Sequence, residues 1–398
     1  MQHIFSDRMA DVPKSFIREI LKDALMPGTT SFAGGLPNRE LFPAKELQAA
    51  TNKVFACYGN DLFQYSASEG FLPLREWIAH RYQKKGLDVP IAHILITSGS
   101  QQGLDLLGKT LLNDGDGLII EEPGYLGAIQ AFSIYRAKFL PVPVSEQGMD
   151  IQKLRSVLHT ENPKLMYTVP NFQNPSGITY PEQNRHAVAQ LIQKTETIFI
   201  EDDPYGDLRF SGNHCSSFQS LIPNHTVLLG SFSKVVVPGF RIGWIVAPEP
   251  MMQKLVIAKQ ASDLHTNQFA QCVLHQYLLD NDLDTHITKI VAAYGAQKEV
   301  MRKCIVRDFP AEVSFTNPEG GMFLWVTLPA PLAALDLFDL AVKDKVMFVP
   351  GNPFYIKPAR VNTLRLNYSC ADVHTIETGM KRLAAATRAL LEKSVSEK

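Results

Sequence analysis

The chain has 398 residues, a formal net charge of −1, 20% charged residues and 45% hydrophobic residues. That length exceeds one ordinary hydrophobic core, so two domains are expected, with the composition of a globular enzyme. The near-neutral balance without a basic run argues against a nucleic-acid surface, and no apolar run approaches the ~20 residues of a membrane span.

The opening residues hold no basic stretch followed by an apolar one, so no secretory signal is expected. Cys57, Cys215, Cys272, Cys304 and Cys370 are odd in number, and none sit at CxxC spacing. They read as free thiols of a reducing, cytoplasmic compartment, with neither a disulfide frame nor a metal site. Phe16, Ile17, Ile20, Leu21, Ala24 and Leu25 recur with helical spacing, and Pro27 and Gly28 stop the pattern. Arg18 lies beside that stripe. In the stretch 31–37, Gly34 and Gly35 let backbone come close to another group. A polar helix is expected after Pro43, and an amphipathic one over 74–85.

From residue 94 onward, short apolar runs end in polar residues. The strand 94–97 turns through Ser98, Gly99, Ser100 and Gln101 into a helix around 104–112. A small-residue turn before a helix N-terminus makes an anion site from free N–H groups, although the spacing is neither a Walker nor a dinucleotide fingerprint. The strand 118–121 runs to Pro123 and Tyr125, 165–169 to Asn174, and 197–202 to Asp202, Asp203 and Tyr205. The strand 226–229 runs to Ser231, Ser233 and Lys234, and 242–247 is one more strand. Helical patterns between them, such as 182–194, predict a largely parallel sheet, with ligands beyond the carboxyl ends of its strands. Residues 251–307 are mainly helical. Strands at 314–316, 321–326, 346–349 and 363–367 then form an α+β module, with the boundary near 295 inside a long helix.

Ser231, Ser233, Lys234 and Arg241 carry the chemistry. Hydroxyls and a guanidinium suit a phosphate, and an amine suits an aldehyde attached to it. A serine-x-serine-lysine string is weak alone. The whole stretch 230–243, GSFSKVVVPGFRIG, resembles the lysine segment of pyridoxal-phosphate enzymes of the aspartate-aminotransferase fold type. With SFAGGLP at 31–37, QYSASEG at 64–70, TSGSQQG at 97–103, NFQNPSG at 171–177 and NTLRLNY at 362–368, the resemblance covers almost the whole chain. It is to the class I/II aminotransferases, in the 2-aminoadipate and kynurenine branch.

The resemblance implies fold type I, an α/β fold. A large, mainly parallel sheet would carry helices on both faces at 46–295, with a smaller α+β domain at 296–398. Residues 1–45 would be an arm contributing to the small domain and a substrate gate. It implies pyridoxal 5′-phosphate, an amino acid and a 2-oxo acid as ligands, ping-pong kinetics and a homodimer. Lys234 would hold the cofactor and shuttle the proton, and Asp202 would pair with the ring nitrogen. Asn174 and Tyr205 would donate to the ring's phenolic oxygen, and Tyr125 would stack on the ring. Gly99, Ser100, Gln101, Ser231, Ser233 and Arg241 would form the phosphate cup, joined by Tyr65 from the partner. Arg365 would grip the α-carboxylate, near Gly35 and Asn174. In that branch an arginine at the position of Arg18, on a mobile N-terminal helix, meets acidic side chains. Phe354 and Tyr355 point to a more aromatic side-chain pocket. The competing readings are a β-lyase, decarboxylase or racemase on the same fold, and the ligand-sensing half of a MocR-type regulator.

Overall fold

The computed structural model describes residues 4–9, 12, 28–357 and 361–396. The helical stripe ended by Pro27, and with it Arg18, lies outside the described residues. Among the described residues, fourteen strands form three sheets. Strands β1 (Thr30–Ser31), β2 (Ile94–Thr97), β3 (Gly117–Glu122), β4 (Lys138–Ser145), β5 (Gly148–Met149), β6 (Leu165–Thr168) and β7 (Ile198–Asp202) come first. They are followed by β8 (Thr226–Ser231), β9 (Gly243–Val246), β10 (Ser314–Phe315), β11 (Phe323–Thr327), β12 (Val346–Met347), β13 (Val349–Pro350) and β14 (Thr363–Asn367).

The large sheet has the order β2-β9-β8-β7-β6-β3-β4-β5. Pairs β8–β7, β7–β6, β6–β3 and β3–β4 are parallel, while β9 runs against both β8 and β2. Both faces are covered, as the near-continuous apolar runs of the central strands require. Ile120, Tyr167 and Ile200 face one core with Leu104 and Leu107 of the helix Ser100–Leu111. Ile119, Met166 and Phe199 face a second core with Leu154, Val188 and Ile192 from helices Ile151–Glu161 and Glu182–Ile192. This is the period-two alternation of a strand, applied to a sheet buried on both sides.

The second sheet, β10-β11-β14-β13, is antiparallel. A single helix, Leu283–Asp308, runs through residue 295 and packs against the final helix, Val373–Ser396. The expected strand at 346–349 is two strands: β12 pairs with β1, and β13 pairs with β14. The segment after β1 is thereby sewn to the small sheet, since Phe32 N–H donates to Met347 O at 2.7 Å and Asn367 N–H to Phe32 O at 2.9 Å.

Candidate active site

The carboxyl ends of β2, β3, β6, β7 and β8 border one cavity of about 420 Å³. Its wall includes Gly35, Ser100, Gln101, Tyr125, Asn174, Asp202, Tyr205, Ser231, Ser233, Lys234, Arg241 and Arg365. Of the remaining expected site residues, Gly99 packs against Arg241 without lining the cavity, Tyr65 does not line it either, and Arg18 is outside the described residues.

Lys234 and Arg241 sit on the two legs of one loop between the antiparallel β8 and β9, closed where Phe232 N–H donates to Ile242 O at 3.2 Å. Because β9 also pairs with β2, the leg carrying Arg241 runs beside the turn after β2. Two glycines permit that approach. Gly99 has φ +80°, and a Cβ there would lie 2.3 Å from Arg241 Nη2. A Cβ on Gly243 would lie 2.6 Å from Ser100 N. The helix Ser100–Leu111 begins there with no side-chain cap, leaving its first N–H groups for another acceptor. Ser231 and Ser233 are buried, and Ser231 Oγ accepts from Ser233 N–H at 3.1 Å.

Lys234 Nζ donates to Gly35 O at 2.8 Å. Burial lowers its pKa to about 8; Cys370 pushes the other way, and the charges of Arg365 and Arg241 add smaller downward contributions. Asp202 is 2% exposed. Its Oδ2 accepts from Tyr167 Oη at 2.7 Å, whereas the buried Oδ1 has no partner. Burial raises its pKa to about 7, Tyr167 opposing and Asp203 adding to the rise. Neighbouring Asp203 is differently occupied: its Oδ1 accepts from Asn171 Nδ2 and Gly206 N–H, both at 2.9 Å.

Arg365, on β14, is buried. Its Nη1 donates to Asn174 Oδ1 at 2.8 Å and its Nη2 to Ala33 O at 2.6 Å, while Nε has no partner. The rings of Phe323 and Phe354 lie 4.5 Å and 5.3 Å from the guanidinium carbon. Phe354 thus stands between Arg365 and Trp325, one residue removed from the cavity wall. Asn174 Nδ2 lies 3.5 Å from Tyr205 Oη, linking the arginine to the tyrosine.

Sequence reasoning missed Tyr167. The signal was available: it pairs with Ile200 in register, so it shares a face with Asp202, and a buried hydroxyl needs a partner. It also missed Glu121, buried beneath the site. Glu121 accepts from Val169 N–H, Gln173 Nε2 and Tyr180 Oη, and burial raises its pKa to about 7. Among the described residues no acidic, histidine or cysteine cluster could hold a metal, and no helix is long and apolar enough to cross a membrane.

The aminotransferase class I and II family model matches residues 36–383. The chain is 38% identical to the aromatic-amino-acid aminotransferase 1 of Thermococcus litoralis, over 98% of this chain and 95% of that one. It is 40% identical to the 2-aminoadipate transaminase of Thermus thermophilus, over 96% and 95%. The fold matches the crystal structure of an α-aminoadipate aminotransferase from Thermus thermophilus, complexed with N-(5′-phosphopyridoxyl)-L-leucine. That match has a TM-score of 0.92 and 38% identity, over 98% of this chain and 99% of that one.

Proposed function

The chain belongs to the class I and II aminotransferases, and from that premise we propose that it moves the amino group of an acidic, leucine-type or aromatic L-amino acid, such as 2-aminoadipate or glutamate, to a 2-oxo acid such as 2-oxoglutarate. The observation that carries this reading is one cavity holding a weakly basic amine, a buried carboxylate with a free oxygen, and a buried guanidinium with a free Nε.

The cofactor is pyridoxal 5′-phosphate, and the cavity residues suit it. Asp202 Oδ1 is an orphaned acceptor for a protonated ring nitrogen. The uncapped helix start at Ser100 and Gln101, with Ser231, Ser233 and Arg241, offers a phosphate its N–H groups, hydroxyls and positive charge. Asn174 and Tyr205 would donate to the ring's phenolic oxygen, and Tyr125 would lie on its face. When bound, the cofactor supplies the electron sink and keeps the amino group between the two half-reactions.

The remaining work falls to this chain's own side chains. Lys234 would attach the resting cofactor, take the α-proton of the amino acid, and later return a proton to the carbon of the 2-oxo acid. A pKa of about 8 leaves its amine ready for both directions near neutrality. Arg365 would hold the α-carboxylate, its Nε gaining the partner it lacks. Asp202, kept anionic by Tyr167 and by the ring cation, would hold the ring nitrogen protonated. Donor and acceptor would use one site in turn, which gives ping-pong kinetics.

We also propose a homodimer. Tyr65 is 79% exposed, its ring 6.0 Å from His265, beside exposed Phe63 and Leu264. An apolar rim of this kind favours burial against a second copy, where Tyr65 would reach the partner's phosphate cup. The free thiols support a cytoplasmic setting. A screen of amino donors with 2-oxoglutarate tests the function. Formation of glutamate and the matching 2-oxo acid is expected from aminoadipate-, leucine- and aromatic-type donors. Release of ammonia or carbon dioxide without glutamate would assign the site to a lyase or decarboxylase instead.

A further inference from the structure

Behind the cavity a buried cation is bound into the turn after β2. Lys259, on the helix Glu249–Asp263, is 0% exposed. Its ammonium donates to Gln102 Oε1 at 2.7 Å, to Thr266 Oγ1 at 2.9 Å, and to Asp263 at 2.7 Å to Oδ1 and 2.9 Å to Oδ2. Gln102 and Asp263 then hold the turn, and Thr266 holds the strand that leads into it. Gln102 Oε1 also accepts from Ser98 N–H at 2.8 Å, and Gln102 Nε2 donates to Asp263 Oδ2 at 2.8 Å. Ser98 Oγ donates to the same oxygen at 3.2 Å, and Thr266 Oγ1 to Ile96 O at 3.2 Å.

We propose that Lys259 is a positioning residue for the phosphate group, fixing the turn 98–102 so that the N–H groups of Ser100 and Gln101 keep facing the cavity. This rests on the reading that those residues hold the cofactor's phosphate. Burying an ammonium is costly unless every proton finds an acceptor, and an apolar residue would fill the same space without that demand. What the cation adds is direction. It joins both ends of a turn whose Gly99 has no Cβ and adopts φ +80°, and it holds that turn from outside the cavity. A helix N-terminus binds an anion only while its N–H groups converge, so loosening the turn weakens the phosphate and nothing else.

The test compares pyridoxal 5′-phosphate with pyridoxal, which lacks the phosphate, in binding titrations of the full-length apoprotein. Lys259→Met and Gln102→Leu are expected to weaken the phosphorylated form by about tenfold or more, leaving pyridoxal within about twofold of wild type. A folded Lys259→Met with wild-type affinity for pyridoxal phosphate overturns the proposal. So does either variant losing both ligands equally. If Lys259→Met does not fold, Gln102→Leu decides on the same two outcomes. Arg241→Ala separates this inference from the site reading. If Arg241→Ala loses the phosphorylated form selectively while Lys259→Met does not, only the role of Lys259 falls. If Arg241→Ala also binds both forms as wild type does, the phosphate cup itself is misplaced.

Discussion

Two neighbouring aspartates show how environment divides labour among identical side chains. Asp203 has both a side-chain and a backbone donor, whereas Asp202 keeps one oxygen buried and unpartnered. Removing the charge at Asp202 would leave a buried ring cation without its counter-ion, a loss of about 3–5 kcal/mol. Asp202→Asn is therefore expected to lower the chemical step by two to four decades, as ~1.4 kcal/mol is a decade, with cofactor still bound. Asp203→Asn keeps the acceptor oxygen and should lose less than about tenfold; single-turnover kinetics with bound cofactor measured spectroscopically checks both. Lys234 carries a second prediction. Only the neutral amine attacks an aldehyde, so capture of cofactor by the apoprotein should rise with pH and level off above about 8. A lysine at the usual 10.5 would still be rising there. Borohydride trapping and mass spectrometry of the Lys234 peptide follow it, and Lys234→Ala should trap none. The identities of these residues were legible because strand ends are marked by an apolar run giving way to polar residues. Tyr167 was not, because inside an apolar strand a tyrosine reads as core until its cross-strand neighbour is known.

At the scale of elements, the site depends on how closely the β8–β9 loop approaches the turn after β2. A Cβ on Gly243 would meet Ser100 N at 2.6 Å, the Gly99 carbonyl carbon at 2.8 Å and Gly230 O at 2.9 Å, all backbone atoms without rotamers to yield. Gly243→Ala is expected to cost about 1–3 kcal/mol of stability and to weaken the cofactor together with it. Gly239→Ala, in the same loop, meets nothing within 4 Å and should leave both near wild type. Thermal unfolding with and without cofactor reads the difference. The central strands were legible from their unbroken apolar runs, but β4 was not. Pro141 and Pro143 break its pattern, yet they share one parity, so both missing N–H groups fall on one side of a strand that only the two-residue β5 covers beyond β3. The division of 346–349 was equally hidden, because which sheet each half joins is set by segments far away in the chain.

For the whole molecule, the open questions of assembly and substrate meet at the cavity mouth. If Tyr65 completes the partner's site, sedimentation should find the active species to be a dimer, and Tyr65→Ala should weaken the cofactor while leaving each fold intact. Leu36, 57% exposed, and Val169 give the cavity an apolar wall suited to leucine-type and aromatic side chains. Among the described residues the cations lining it are Lys234, Arg241 and Arg365, and each already has a proposed partner. A second carboxylate, as in 2-aminoadipate, therefore needs another cation, since a buried unpaired charge is costly. Arg18, outside the described residues, is the candidate the sequence supplies. A contact of that kind contributes about 1.5–3 kcal/mol, so Arg18→Ala should lose roughly ten- to a hundredfold in kcat/KM for acidic donors. Leucine-type and aromatic donors meet the apolar wall instead and should change little. Steady-state kinetics on one donor of each kind decides it: an equal fall for both would make Arg18 structural and leave the second carboxylate to a residue of the partner.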